Sequence, residues 1–187
     1  MIVNGRFLLS RSRPPIVGMA TEKLKAHGTS YGLSEAGYDI RLKQDLMFNP
    51  PDIRQALESI HGFFHEWRIN ELFCGRVHMD GSSASTIGRF VLASAIEEFD
   101  MPPDLVGVVH DKSTWARQGV SVFNTVIEPG WKGFLTLEIV FHGNEPVHIP
   151  AGSGIAQVLF HQLQDSAEYN GKYQNQKDEP VPSKWEG

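Results

Sequence analysis

The residue types that could do chemistry are concentrated in residues 110–138. Residues 112–117 predict a short helix, which Asp111 could cap and Gly119 could end. Its start carries a cation and two hydroxyls, at Lys112, Ser113 and Thr114. Backbone amides point outward at a helix start, so such a segment can hold a phosphate group. The sequence therefore predicts a site for a phosphorylated small molecule.

Glu138 is the candidate acid or base. Alternation over residues 134–142 predicts a strand on which Glu138 shares a face with mostly apolar side chains. A carboxylate in that setting must be paired, raised in pKa, or employed in catalysis. Two interpretations stay open from the residues alone. Glu138 either performs acid–base chemistry or forms an ion pair with Arg117 inside a barrel.

Other catalytic signatures are missing from the sequence. Ser113 and Arg117 are four residues apart and share a helix face, but no G-x-S-x-G elbow surrounds Ser113. A local hydrogen bond at the helix start is the alternative role for that hydroxyl. The eight histidines form no HExxH motif and no metal-ligand spacing, and neither a P-loop nor a G-x-G-x-x-G segment is present. We therefore predict no metal site built from protein side chains.

Composition limits the class of protein. A chain of 187 residues predicts one domain spanning residues 1–187 with a sizeable core. Its 17 Lys plus Arg against 22 Asp plus Glu argue against nucleic acid as a partner. The single cysteine, Cys74, allows no internal disulfide and no zinc site with two cysteines. No apolar run reaches the length of a membrane span and the N-terminus does not resemble a secretory signal, so we expect a cytoplasmic protein without membrane contact.

Short elements separated by Pro and Gly predict an all-β barrel or sandwich with minor helices. Helices are predicted at residues 21–27 (closed by Gly28) and 52–64, and a helix or strand at 3–10. A Gly-containing turn that runs into a strand is predicted at 34–42. Strands are predicted at 72–78, 89–96, 105–110, 120–127, 134–142, 146–149 and 155–163, with a loop at 79–86 and a turn at 128–131. From about residue 165 the chain is polar and predicts a tail that is disordered or orders on a ligand.

Several segments together resemble the dCTP deaminases. Residues 111–119 (DKSTWARQG) resemble the family segment [RK]-S-[ST]-x-A-R-x-G, and residues 128–138 resemble D-P-G-[WF]-x-G…L-E. Residues 154–157 (GIAQ) are similar to a late I-x-Q strand, and residues 169–176 (YNGKYQNQ) to the C-terminal Y-x-G-K-Y-Q-x-Q. Residues 36–39 (AGYD) resemble a motif shared with trimeric dUTPases. The motifs follow the family order, whereas residues 52–85 match no family segment.

The resemblance implies a dUTPase-like, distorted jelly-roll β-barrel that forms a homotrimer with active sites between subunits. It implies hydrolytic deamination of dCTP to dUTP and ammonia, with magnesium bound through the substrate triphosphate and no catalytic zinc. The H-x-E…P-C-x-x-C signature of zinc deaminases cannot be written with Cys74 alone. Without a metal to acidify water, a protein base must accept its proton.

The resemblance also assigns roles to residues. Glu138 corresponds to the general base, Ser113 and Arg117 to groups that organise water and charge beside it, and Glu128 to a position near the deoxyribose where the family usually has Asp. The full set of implied substrate contacts is Lys112, Ser113, Thr114, Trp115, Ala116, Arg117, Glu128, Thr136, Leu137, Glu138, Gln157, Tyr169, Lys172 and Gln176.

Other functions stay open. A dUTPase, or a bifunctional enzyme that converts dCTP to dUMP and pyrophosphate, could use the same barrel and phosphate site. A non-catalytic nucleotide sensor is a third class, against which the presence of both Ser113 and Glu138 argues. The sequence does not decide whether dTTP inhibits or whether a modified cytosine is preferred.

Overall fold

The computed structural model describes residues 1–49, 78–79, 83–86 and 89–185, and of residues 78–79 and 83–86 only the backbone. Within these ranges the chain is mainly strand, which confirms the predicted all-β class. The elements are α1 (Gly5–Ser10), β1 (Lys23–Ala26), β2 (Thr29–Ser34), β3 (Gly37–Arg41), β4 (Asp45–Phe48), β5 (His78–Met79), β6 (Ser83–Thr86), β7 (Phe90–Asp100), β8 (Leu105–Asp111), α2 (Ser113–Ala116), β9 (Val120–Val122), β10 (Val126–Ile127), β11 (Lys132–Phe141), β12 (Val147–Ile149) and β13 (Gly154–Gln162).

The described strands form three sheets. One has the order β1-β2-β3-β13-β8-β10, the second β7-β11-β9, and the third β12-β4-β6-β5. Neighbouring strands are antiparallel except for the parallel pair β4 and β6. Phe48 of β4 stacks on Phe141 of β11 with ring centroids 5.4 Å apart, so the second and third sheets share core contacts. Because no helix in the described ranges is both long and apolar enough, none could cross a bilayer.

Strand β11 is the element that orients Glu138. Its buried residues alternate as predicted, with Leu135, Leu137, Ile139 and Phe141 facing the core. The pairing of β11 with β7 is interrupted by a bulge. Residues 95–97 of β7 lie opposite the single residue Leu135, and regular pairing resumes beyond it. Bulges bend a strand and re-aim side chains, and this one lies beside the face that carries Glu138.

The helix predicted at residues 21–27 is wrong. Those residues include strand β1, which forms a hairpin with β2 in which Ala26 pairs with Thr29. The two loop residues, His27 and Gly28, have φ angles of 49° and 77°. Such a two-residue loop with positive φ angles fits the twist of a hairpin. Strand pairing therefore outweighed the local preference for a helix.

The boundaries around α2 also differ from the prediction. Asp111 is the last residue of β8 and does not cap the helix, because its carboxylate accepts a hydrogen bond from the Val122 amide (2.7 Å). Lys112 occupies the N-cap position without a side-chain cap bond. The strand predicted at 120–127 is two strands, because β9 pairs with β11 and β10 pairs with β8 in another sheet.

Most of the other predicted elements lie close to the observed ones, whereas the loop predicted at 79–86 is wrong for residues 83–86. The segment predicted at 3–10 is helix α1, and Asn4 caps it by accepting from the Phe7 amide. Residues 83–86, predicted as loop, form β6, which pairs with β4 and β5. The helix predicted at 52–64 and most of the strand predicted at 72–78 lie outside the described residues.

Candidate active site

A cavity of about 540 Å³ opens beside Glu138. Strand β7 contributes an apolar wall, β11 contributes the carboxylate, and the segment after β9 closes one side. The C-terminal tail, residues 165–185, covers the cavity. The lining residues are Phe90, Leu92, Thr125, Val126, Ile127, Glu128, Trp131, Leu135, Thr136, Glu138, Tyr169, Tyr173, Gln176, Val181 and Ser183. The volume lies in the range of small-molecule sites, roughly 300–1,000 Å³.

Glu138 has the environment of a group that exchanges protons. It pairs across the sheet with Leu92, and its side chain is half-buried. Its Oε2 is buried without a hydrogen-bond partner among the described residues. Burial raises the pKa of the Glu138 carboxyl above its ordinary value. Of the two interpretations from the sequence, the ion pair with Arg117 is absent from the described part of this chain, whereas the raised pKa is present.

Glu138→Gln is expected to raise the melting temperature at neutral pH, because the native state has to hold a poorly solvated carboxylate there. The pKa of Glu138 is higher in the folded state than its unfolded value of about 4.3. Below about pH 4.3 the carboxyl is protonated in both states, so it does not destabilise the folded protein. The destabilisation grows as pH rises through the raised folded pKa and is constant beyond it.

Thermal unfolding between pH 4.5 and 8 measures this effect. The gain of Glu138→Gln over wild type should increase with pH, while Glu145→Gln serves as the control for losing an exposed carboxylate. A gain that shrinks as pH rises would contradict a raised folded pKa at Glu138.

The tail docks on the turn and strand that precede Glu138. Tyr169 donates its amide to the Pro129 carbonyl (2.8 Å), and the Trp131 indole donates to the Tyr173 carbonyl (2.7 Å). The Phe134 amide donates to the Gln176 carbonyl (3.1 Å). The turn before β11 is therefore a docking surface for the tail, to which Trp131 contributes its indole.

Gly133 permits the closest of these contacts. It forms an isolated bridge with Gln176, and its φ is 129°. A Cβ at this position would lie 2.5 Å from the Gln176 carbonyl oxygen and 2.6 Å from its nitrogen. Any side chain would therefore push the tail away from β11, so glycine is required for the tail to dock as observed.

Thr136 joins the tail to the strand that carries the base. Its side chain is buried at the cavity wall, two residues before Glu138 on the same face. The hydroxyl accepts from the Val181 amide (3.0 Å) and donates to the Gln176 side-chain oxygen (3.4 Å). The Thr136 hydroxyl is thus a further link between the tail and β11, in addition to the contacts of Gln176 with Gly133 and Phe134.

The predicted phosphate segment lies elsewhere on the chain. Ser113, Thr114 and Arg117 are exposed and do not line the Glu138 cavity. Lys112 is mostly buried and donates to the Asp39 carboxylate (2.5 Å) and the Ser30 hydroxyl (3.0 Å). A single chain therefore holds the candidate base and the candidate phosphate group contacts on separate surfaces.

Five further predicted contacts do not line the cavity. Trp115 is buried and its indole donates to the Gly154 carbonyl (2.8 Å), while Leu137 is part of the core. Gln157 donates to the Ser34 hydroxyl (3.0 Å). Lys172 lies over the Tyr173 ring, with its amine 5.4 Å from the ring centre. Ala116, the remaining member of the α2 segment, is exposed on the helix surface.

Sequence reasoning missed part of the cavity. Phe90 and Leu92 on β7, Thr125 after β9, and Val181 in the tail line it without belonging to any quoted functional motif. No periodicity indicated that the apolar residues of β7 would face a cavity rather than core. Tyr173 and the buried Trp131 lie within quoted family segments but are not among the predicted contacts.

Comparison with known proteins decides the family. The family described as dCTP deaminase-like matches residues 19–163, most of the chain. The chain belongs to the dCTP deaminase-like family. This match includes β11 with Glu138 and the α2 segment, and it ends before the tail.

Individual relatives agree with this family. A dCTP deaminase of Helicobacter pylori strain G27 is 36% identical over 158 residues, covering 82% of this chain and 81% of the relative. A dCTP deaminase of Acidobacterium capsulatum is 32% identical over 187 residues, covering 97% and 98%, and so includes the tail. The crystal structure of a 2'-deoxycytidine 5'-triphosphate deaminase from Agrobacterium tumefaciens aligns with a TM-score of 0.42 at 20% identity, covering 68% of this chain and 39% of that one.

Proposed function

We propose that this member of the dCTP deaminase-like family catalyses hydrolytic deamination of dCTP to dUTP and ammonia, with Glu138 as the general base. The observation that carries the proposal is the Glu138 carboxylate. One of its oxygens is buried without a hydrogen-bond partner among the described residues, burial raises its pKa, and it faces a cavity of nucleoside size. A carboxylate whose pKa is raised by burial accepts a proton more readily than an ordinary glutamate, which suits a general base.

The reaction requires Glu138 to handle protons at three atoms. It takes a proton from the water whose oxygen adds to C4 of the cytosine, and the proton passes to N3. As the C4–N4 bond breaks, the departing amine gains a proton that comes from the added hydroxyl through Glu138. Ammonia leaves and C4 keeps the water oxygen as a carbonyl, so protons and oxygen balance. The half-buried position of Glu138 supports this role, because little bulk water competes for the proton.

We propose that no zinc takes part and that magnesium enters with the substrate triphosphate. Only Cys74 could supply a thiolate, which rules out the two-cysteine zinc signature of the other deaminases. The residues around Lys112 fit a triphosphate and its cation, since an amine and a hydroxyl lie next to the Asp39 carboxylate. Magnesium prefers carboxylate, phosphate and water oxygens. When bound, it would supply neutralisation of the triphosphate charge.

We propose a homotrimer whose active sites combine Glu138 of one copy with Ser113 and Arg117 of another. The separation of these residues on one chain supports this assembly, as does an apolar patch beside the cavity. Phe90, Phe123 and Val126 in that patch are 39%, 54% and 55% exposed. Exposed apolar surface next to a site is typical of a protein interface.

Mixed oligomers test the shared site. Ser113→Ala and Glu138→Gln proteins are each expected to be inactive, and co-expressing them should restore activity at about a quarter of the sites. In a ring with random assembly, half of the Glu138 positions are intact and half of those face an intact Ser113. The measurement is ammonia release per oligomer.

The control pairs Ser113→Ala with the double variant Ser113→Ala/Glu138→Gln, which should restore nothing. Failure of the first mixture to regain activity, or an active monomer in sedimentation, would contradict the proposed sharing.

The rival reactions release different products. A dUTPase or a bifunctional enzyme cleaves between phosphates and releases pyrophosphate, whereas the proposed deamination releases only ammonia. Incubating the protein with magnesium and dCTP, and measuring ammonia and pyrophosphate separately, distinguishes them. Ammonia without pyrophosphate is expected. Pyrophosphate at the same rate would favour the bifunctional enzyme, and repeating the assay with dTTP tests inhibition.

Glu128 bears on sugar recognition. It is exposed and lines the cavity where the family usually has Asp. We propose that it faces the deoxyribose and that backbone adjustment accommodates its extra methylene. Nucleotide binding is proposed to order the tail further, because the polar tail buries little apolar surface and its docked state without ligand is only partly populated. The single-domain arrangement and a cytoplasmic location remain part of the proposal.

A further inference from the structure

The last part of the tail forms a cover over the candidate base. Val181 and Ser183 line the Glu138 cavity, although they follow the quoted tail motif in sequence. Val181 lies between Pro180 and Pro182, which have no amide hydrogen. Its own amide is bound by the Thr136 hydroxyl. We call residues 178–184 the cover segment.

Residues 41–44 are held firmly against β7 at its bulge, next to the cover segment, and we call this contact the junction. Leu42 pairs with Ala95, and the Lys43 amide donates to the Ser94 carbonyl (2.9 Å). The buried Gln44 side chain accepts from the Ser94 amide (2.8 Å) and donates to its hydroxyl (3.3 Å). The backbone on both sides of Lys43 is therefore fixed, so the origin of its side chain is fixed as well.

A second buried contact reinforces this junction. Glu97, only 4% exposed, accepts from both the amide and the guanidinium of Arg41, each at 2.8 Å. Burial raises the pKa of the Glu97 carboxyl, while the Arg41 bonds oppose that change. Two buried polar side chains, Gln44 and Glu97, are thus used to hold residues 41–44 against β7.

From this junction the Lys43 side chain reaches the start of the cover segment. Its amine contacts the Asp178 carboxylate at 2.5 Å and donates to the Asp178 carbonyl at 3.0 Å. Three residues later the Val181 amide meets Thr136, which pairs with Ser94 across the sheet. The cover segment is therefore attached on both sides of one stretch of β7.

We propose that Lys43 is a positioning residue that holds the cover segment over the Glu138 cavity by binding Asp178. This inference deepens the proposed function and rests on it where substrate is concerned. Lys43 does not line the cavity, so it acts through Asp178 and not on the nucleotide. Loss of the pair should let the cover open more often, which weakens retention of dCTP more than it slows the chemical step.

Amide hydrogen exchange of the cover segment tests the Lys43–Asp178 ion pair without an assay of turnover. In Lys43→Gln protein without nucleotide, the Val181 amide should exchange about two- to fivefold faster, the effect of losing a partly exposed ion pair. Amides of β13 should not change. The matched control is Lys23→Gln, which removes a comparable pair with Glu35 (2.7 Å) far from the tail in the sheet order.

Exchanging the charges provides the decisive variant. Lys43→Asp should open the cover further than Lys43→Gln, and adding Asp178→Lys should restore slow exchange. In steady-state assays KM for dCTP should rise about two- to fivefold in Lys43→Gln, with kcat nearly unchanged and KM recovering in the charge-swapped protein.

If the Val181 amide exchanges at the wild-type rate in Lys43→Gln, or if slow exchange does not return in the charge-swapped protein, Lys43 does not hold the cover segment. This conclusion holds whether or not the enzyme is active. A wild-type protein that releases no ammonia from dCTP would instead contradict the proposed function. The exchange experiment would still decide the role of Lys43 in that case.

Discussion

Glu138→Gln protein is expected to release ammonia from dCTP about 10²- to 10⁴-fold more slowly than wild type. Glutamine keeps the size of the side chain and one acceptor oxygen, but it cannot take a proton from water. Strand β11 carries no other carboxylate that could replace Glu138. Single-turnover ammonia release with saturating dCTP measures this change.

Nucleotide binding should survive in the same variant, because the proposed triphosphate contacts come from Lys112, Ser113 and Thr114. Glu98→Gln is the control, since that exposed carboxylate lies on the neighbouring strand outside the cavity. If pyrophosphate release persists while ammonia release is lost, a second phosphate-cleaving activity is present. Retention of more than about a tenth of wild-type ammonia release, far above the loss expected for a general base, would refute the assignment and make Glu128 the next candidate.

Ending the chain at Glu168 is expected to lower kcat/KM for dCTP by more than about a hundredfold while the fold persists. The deletion removes Tyr169, Tyr173, Gln176, Val181 and Ser183 from the cavity wall. Loss of three or more ligand contacts worth about 1 kcal/mol each corresponds to a factor of about 150 or more. Circular dichroism and thermal unfolding check the fold, and steady-state kinetics check the activity.

Two controls separate tail docking from general damage. A chain that ends at Lys184 keeps every cavity contact and should behave like wild type. Gly133→Ala keeps the whole tail but forces Gln176 away, so it should lower kcat/KM in the same direction. Gly18→Ala places an alanine at another positive φ (59°) with no atom within 4 Å of the added Cβ, so it should leave activity unchanged. Wild-type kinetics in both the deletion and Gly133→Ala would exclude a role for the tail.

Local patterns in the sequence were sufficient for the strand that carries the base. Alternating apolar residues placed Glu138 on the less buried face of β11, and that alternation is present in the structure. The period of a strand is fixed by its backbone geometry, so it can be read without knowledge of the partner strands. The turn before β11 was predictable for a similar reason, because Gly130 supplies the positive φ that such a turn requires.

Motif order likewise predicted the family from the sequence alone, and the match over residues 19–163 confirms it. Several separated segments agree in type and order, including the α2 segment and the stretch that ends at Glu138. Agreement of that kind depends on residue identities and needs no coordinates.

Tertiary structure decided which residues share a cavity. The α2 segment and Glu138 are joined by a short stretch of chain, yet Ser113 and Arg117 lie on a surface outside the cavity. The residues between β9 and β10 leave one sheet and enter another, with Phe123 donating its amide to the Glu138 carbonyl (2.9 Å). The β-branched residues at 120–127 predict strand, but they do not specify which sheet each part of the segment joins.

The attachment of the tail also could not be read from the sequence. It depends on the space above Gly133, on the Thr136 hydroxyl and on the distance from Lys43 to Asp178, which lie far from the tail in sequence or on other strands. Sequence patterns describe the period of each element, whereas contacts between elements depend on packing that all the strands determine together.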